Sequence, residues 1–215
     1  MIILKTFRFN MLQENTYVLH CPSSQQAVVI DCGACYPEER QAIVAYLRDH
    51  HLQLVHVLCT HGHLDHLFGN DTLQAEFGLK PEVHAADEFL ATDLVGQARD
   101  MFGIDYPFPT PPLGRLLSDG DTITFGDNQL RVLHTPGHSP GGVTFYCAEE
   151  RMAFTGDTLF RMSVGRTDLA QGSWPQLMTS LHDVLAQLPP DTTVYPGHGS
   201  PTTIGEELRA NPYMK

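Results

Sequence analysis

The sequence predicts a mixed α/β domain in which two β-sheets pack as a sandwich under a cover of helices. Three observations carry that expectation. Short β-branched runs crowd the N-terminal part and recur in the second half, segments of helical spacing fall between and after them, and 42% apolar residues in a 215-residue chain are ample for a core. No charge block, Gly/Ser tract or internal repeat marks a linker, so residues 1–215 read as one domain.

Ile2–Phe9, Thr16–His20 and Ala27–Ile30 read as strands, and the third stops at the turn Asp31-Cys32-Gly33. Pro37 suits a first helical turn, and Ile43, Val44 and Leu47 repeat at helical spacing to about His50. Leu54–Thr60 is largely apolar on both faces, as a buried central strand should be. It runs straight into His61-Gly62-His63-Leu64-Asp65-His66, after which Leu67–Phe77 looks helical. Pro81–His84 reads as a short strand and Asp87–Ala98 as one helix. Met101–Leu117 holds Pro107, Pro109, Pro111 and Pro112, which rule out regular helix and point to a surface loop, a candidate wall for a pocket. Strands then follow at Thr122–Phe125, Gln129–His134, Val143–Cys147 and Met152–Thr155. A helix at about Trp174–Leu188, a strand at Thr193–Tyr195 and a short helix at Ile204–Ala210 complete the reading.

The formal charge is −12, with three lysines (Lys5, Lys80, Lys215). Nucleic-acid binders take most of their affinity from neutralising phosphate, so this balance argues against one. No basic segment followed by an apolar run opens the chain, and no stretch approaches the roughly 18 apolar residues of a membrane span. An odd number of cysteines, five, points to reduced thiols and a cytoplasmic protein. Cys32-Gly-Ala-Cys35 has redox-motif spacing, but two thiols cannot complete a tetrahedral zinc site, and they read as inert.

The twelve histidines are not scattered evenly. His61, His63, Asp65 and His66 form one cluster; His138 follows Pro136-Gly137, Asp157 follows Gly156, and His198 follows Pro196-Gly197. Each segment ends a strand-like run, where a side chain projects from the sheet's carboxyl edge. Neutral imidazole and carboxylate are ligands that suit zinc, and also iron or manganese. Two residues apart, His61 and His63 would point about 200° apart on a helix, so they can meet on one ion only from a loop. Seven ligands for two ions leave open positions, the mark of a catalytic rather than a closed structural site. The remaining histidines (20, 50, 51, 56, 84, 134 and 182) show no grouping.

This ordered set resembles the signature of the metallo-β-lactamase superfamily, and most closely its glyoxalase-II-like branch of short single-domain hydrolases. The likeness spans Asn15-Thr-Tyr17, Asp31-Cys-Gly33, Thr60 to His66, Pro136-Gly-His138, Gly156-Asp-Thr-Leu-Phe160, Gly165-Arg-Thr-Asp168 and Pro196-Gly-His198. It implies a four-layer αββα sandwich with metals at the mouth between the sheets. It further implies one divalent ion, zinc first, on His61, His63 and His138, a second on Asp65, His66 and His198, and Asp157 between them. The implied reaction is attack of a metal-bridging hydroxide on a small thioester such as a hydroxyacyl-glutathione, with Asp65 orienting the hydroxide. Arg166 is a candidate for gripping a substrate carboxylate, since its planar fork suits one. Relatives that bind glutathione carry a tyrosine where this chain has Asp168, another where it has Ser200, and a C-terminal helical extension; here about 17 residues follow His198. True β-lactamases of the superfamily usually lack the histidine that stands here at position 66.

A second reading is persulfide oxidation at a single Fe(II) held by His61, His138 and Asp157, a facial triad. A metal-buffering protein on the same scaffold is a third, argued against by the complete ligand set. Gly137-His-Ser139-Pro-Gly141 formally matches a serine nucleophile elbow, but Pro140 lacks the N–H that the elbow's oxyanion hole needs. Oligomeric state is not readable.

Overall fold

A computed structural model describes residues 1–215. The first sheet is built in chain order from β1 (Ile3–Phe9), β2 (Glu14–His20), β3 (Gln26–Ile30), β4 (Gln53–Leu58), β5 (Pro81–His84) and β6 (Leu116–Leu117). β1 to β3 pair antiparallel, while β3, β4, β5 and β6 run parallel, because helices cross over between them. In the second half come β7 (Thr122–Phe125), β8 (Asn128–His134), β9 (Val143–Cys147), β10 (Met152–Gly156), a small hairpin of β11 (Leu159–Phe160) and β12 (Ser163–Val164), then β13 (Thr193–Pro196) and β14 (Thr202–Thr203). The second sheet has the order β14-β13-β10-β9-β8-β7, with β10 and β13 parallel.

Period-two side chains explain why two sheets need four layers. Along β2 and β3, Tyr17, Leu19, Val28 and Ile30 point into a core shared with Phe125, Val132, Phe145 and Phe154 of the second sheet. The alternate residues Val18, Ala27 and Val29 are just as buried, against Ile43 and Leu47 of α1 (Pro37–Asp49) and Leu73 of α2 (Asn70–Phe77). On the far side, Val194 packs on Leu177, Leu181 and Ile204. Both faces of each sheet are therefore apolar, and helix, sheet, sheet, helix is the order that covers them.

The helices depart from the sequence expectation where local polar groups intervene. The expected helix at Asp87–Ala98 is two short pieces, α3 (Glu88–Ala91) and α4 (Leu94–Gln97). Asp93 divides them by accepting a hydrogen bond from Gly96 N at 3.0 Å, starting a new helix instead of continuing the old one. After His66 the expected helix waits until Asn70, because the Gly69 N–H donates to the Cys32 carbonyl at 2.8 Å and not to a carbonyl one turn back. At Trp174–Leu188 only α5 (Trp174–Thr179) is α-helical; the chain continues with a widened turn and then a tightened one. α6 (Ile204–Ala210) falls where expected. The Pro-rich segment begins inside a widened helical turn, Ala98–Phe102, which the expectation of no helix from Met101 did not include because the prolines start only at 107. From Gly103 to Arg115 it is irregular, and the Arg40 guanidinium pins it, 3.9 Å from the centre of the Phe108 ring.

No helix is long and apolar enough to cross a membrane.

Candidate metal centre

Strands β4, β8, β10 and β13 all end at one mouth, and each hands the chain to a polar segment there. β4 leads to residues 60–66, β8 to His138, β10 to Asp157 and β13 to His198. Residues 61–63 are non-helical loop, as convergence of His61 and His63 requires, and Leu64–His66 form a single tight turn. Two glycines make the approach possible. Gly156 holds a φ of +49° against Thr60, and a Cβ on Gly197 would lie 2.3 Å from Asp157 Oδ1 and 2.6 Å from His66 Cε1.

All seven sequence-predicted ligand residues meet here. Ligand atoms of His61, His63 and His138 lie within 4.8 Å of one another, and so do those of Asp65, His66 and His198. Asp157 stands between the trios, with Oδ1 at 3.4 Å from His66 Nε2 and Oδ2 at 3.6 Å from His138 Nε2 and 3.7 Å from His198 Nε2. Asp65 Oδ2 is 3.2 Å from His198 Nε2 and 3.5 Å from His66 Nε2.

The outer partners decide which ring nitrogen faces inward. Thr60 Oγ1 donates to Asp31 Oδ2 at 2.7 Å, so at 3.0 Å it can accept only from His61 Nδ1. His66 Nδ1 donates to Asp31 Oδ2 at 3.0 Å, His138 Nδ1 to the Arg166 carbonyl at 2.8 Å, and His198 Nδ1 to the Leu12 carbonyl at 3.1 Å. Four Nε2 lone pairs are thereby turned toward one centre, the arrangement that metal-binding histidines adopt. His63 differs, presenting Nδ1 at 2.9 Å from His138 Nε2. His61 Nε2, His66 Nε2 and Asp157 Oδ1 are buried without any hydrogen-bond partner, a state that costs free energy unless something else satisfies them. A divalent cation fits that donor set, and a closed hydrogen-bond network does not.

Electrostatics agree with the geometry. Burial, and then the neighbouring imidazoles, push His61 well below the ordinary histidine range, and burial and His138 bring His63 down to about 3. Burial works to raise both Asp65 and Asp157, but His66 and its neighbours outweigh it and keep both carboxyls below their ordinary value. The reverse holds at His66 and His198. Burial opposes their charge, yet the carboxylates around His66 and the Asp65 hydrogen bond at His198 raise both above the ordinary histidine value.

Several functional residues escaped the sequence reading. Asp31, buried at a φ of +52°, accepts from Thr60 N at 2.7 Å as well as from Thr60 Oγ1 and His66; with its lone pairs so engaged it positions ligands and is not one itself. Asp87, fully buried, accepts from Gly62 N at 2.8 Å, Ser139 Oγ at 2.7 Å and Gly141 N at 2.5 Å, tying the His61–His66 loop to the His138 loop. That bond also disposes of Ser139 as a nucleophile, since the side chain is buried and its hydroxyl donates to Asp87. Asp31 left a signal, an aspartate closing an apolar strand; Asp87 left none. Arg166 meets the centre through its carbonyl. The guanidinium expected to grip a substrate carboxylate is instead held by Asp168, at 2.6 and 2.7 Å on the surface.

Comparison with known proteins follows the same lines. A family profile described as Metallo-beta-lactamase superfamily matches residues 10–198. Hydroxyacylglutathione hydrolase GloC of Haemophilus influenzae is 35% identical over 191 residues, covering 88% of each chain. Among solved structures, BLEG-1 B3 metallo-beta-lactamase superposes with a TM-score of 0.90 at 33% identity, over 99% of this chain and 100% of its own. TTHA1623 in a di-iron-bound form gives 0.85 at 38%, over 97% and 99%. ETHE1 from Myxococcus xanthus gives 0.78 at 28%, over 98% and 83%.

Proposed function

The chain belongs to the metallo-β-lactamase superfamily, and from that premise we propose that it is a metal-dependent hydrolase of small thioesters. The observation that carries the reading is the pair of donor trios joined by Asp157, with buried donor atoms that nothing in the protein satisfies. His61, His63 and His138 would hold one divalent ion, Asp65, His66 and His198 a second, with Asp157 shared and zinc the first candidate on grounds of ligand type. Such ions supply a nucleophile from water at neutral pH and an electrophile for the carbonyl.

The protein's own groups do the rest. Asp31, Thr60, the Arg166 carbonyl and the Leu12 carbonyl lock four imidazoles in their inward tautomer. Asp65 faces His66 and His198 through Oδ2, and its other oxygen is the proposed acceptor that orients the attacking water. A thiolate is a good leaving group and needs no general acid. The GloC relative supports a thioester, and S-lactoylglutathione is the first substrate to assay.

The ETHE1 neighbour supports a second reading, oxidation of a persulfide at one iron on His61, His138 and Asp157. Metal quantification on protein purified without added metal, paired with turnover, separates the two. Two equivalents of metal with thioester hydrolysis support the hydrolase; one equivalent of iron with oxygen uptake on glutathione persulfide replaces it. A chromogenic cephalosporin belongs in the same assay because of the BLEG-1 neighbour, and exclusive turnover of that probe would also overturn the thioester reading.

A further inference from the structure

Beside the centre, on the His63 side, lies a cavity of about 300 Å³. Phe89, Leu90, Met101 and Leu169 give it apolar walls, and Asp93 and Asp100 are the acidic residues of its lining, which includes no lysine or arginine. Phe89 and Met101 are 39% and 40% exposed, so the cavity offers apolar surface that an entering group can reach. The opposite rim is similar. Leu12 is 46% exposed beside His198, and the Phe160 ring centre is 6.2 Å from that imidazole. Arg166, the cation expected to recognise a substrate carboxylate, does not line this cavity and is paired with Asp168 on the surface.

We infer that this cavity receives the group flanking the scissile carbonyl, and that it selects an apolar body carrying no negative charge. The inference rests on the thioester reading for the bond that is cut, but not for the pocket. A carboxylate entering here would face Asp93 and Asp100 with no lining cation to offset them, whereas a neutral or amine-bearing chain gains apolar contact without that repulsion. S-lactoylglutathione is then suited by its thioester and penalised by its two carboxylates.

The test compares two inert thioethers by calorimetry on the metal-loaded protein: S-hexylglutathione and its dimethyl ester, which share one body and differ in charge. The ester is expected to bind about tenfold tighter, the scale of one like-charge repulsion in a cleft of intermediate dielectric. Asp93→Asn together with Asp100→Asn should shrink that gap to within about twofold; asparagine keeps the helix cap that Asp93 provides. Asp183→Asn together with Asp191→Asn, an equal change of net charge at two exposed residues outside the cavity lining, should leave it in place. Equal or tighter binding of S-hexylglutathione, or a gap indifferent to the double substitution, overturns the inference. Turnover is read separately, with acetyl and hexanoyl thioesters of N-acetylcysteamine. A gain in kcat/KM with acyl length seats the acyl chain in the cavity, and no gain seats the thiol. Absence of turnover on every thioester would sink the hydrolase reading while the binding gap still stood.

Discussion

His63 enters the centre through Nδ1, while His61, His66, His138 and His198 all turn Nε2 inward. A ligand without an outer partner depends most on the ion it shares. His63→Ala should therefore lower thioester kcat/KM by at least about 10³ while the circular dichroism spectrum stays native, the loss expected when an ion that supplies both nucleophile and electrophile loses a ligand. Near-normal turnover in that variant would defeat the catalytic assignment. Asp31→Asn keeps the size and loses the charge that fixes His66. Removing such an outer partner typically costs 10- to 100-fold in metal affinity, so the variant should show a weakened second equivalent in a metal titration. Protonation belongs to the same scale. His66 and His198 hold their protons to a pH above the ordinary histidine value of 6.5, and a metal must expel them. Metal affinity should thus rise with pH through neutrality and fall on acidification. Titrations near pH 7 in two buffers of different ionisation enthalpy should show protons released, and identical heats would contradict the reading.

Among the elements, the strand ends were the legible part. Apolar runs that stop at Gly62, Gly137, Gly156 and Gly197, each beside a histidine or aspartate, could be read in one dimension because strand period and turn chemistry are local properties. The broken helices were not legible. Whether Asp93 caps a new helix, or Gly69 postpones one, depends on a neighbour such as Cys32 that the local pattern does not contain. Asp87 was invisible for the same reason, since its partners stand at 62, 139 and 141. Gly197→Ala tests the close approach after β13. With a Cβ 2.3 Å from Asp157 Oδ1, the variant should fold and yet lose metal stoichiometry, measured by elemental analysis after gel filtration. Retention of a full complement would mean that the loop can yield.

At the scale of the molecule, the first sheet supplies His61 to His66 and the second supplies His138, Asp157 and His198. A bound ion therefore ties the sheets together across the sandwich mouth. Removing it with a chelator should lower the melting temperature and bring the loss of stability toward about 4 kcal/mol if the free metal had stood 1,000-fold above its dissociation constant. An unchanged melting curve after verified metal removal would argue that the apolar core alone sets the stability. A two-sheet sandwich under helices was legible from strands in both halves of the chain with helices between and after them, whereas the αββα layering came from the family resemblance. The structure shows its physical basis in β2 and β3, whose two faces are both apolar and each need cover.

Leu12 and Arg166 reach the imidazoles of His198 and His138 through peptide carbonyls, while their side chains face outward into solvent or toward Asp168. Every amino acid carries that same oxygen. Mutation can accordingly rewrite the rim at positions 12 and 166 with the anchoring of the chemistry undisturbed, so a scaffold of this kind can drift from one substrate to another without first passing through an inactive ancestor.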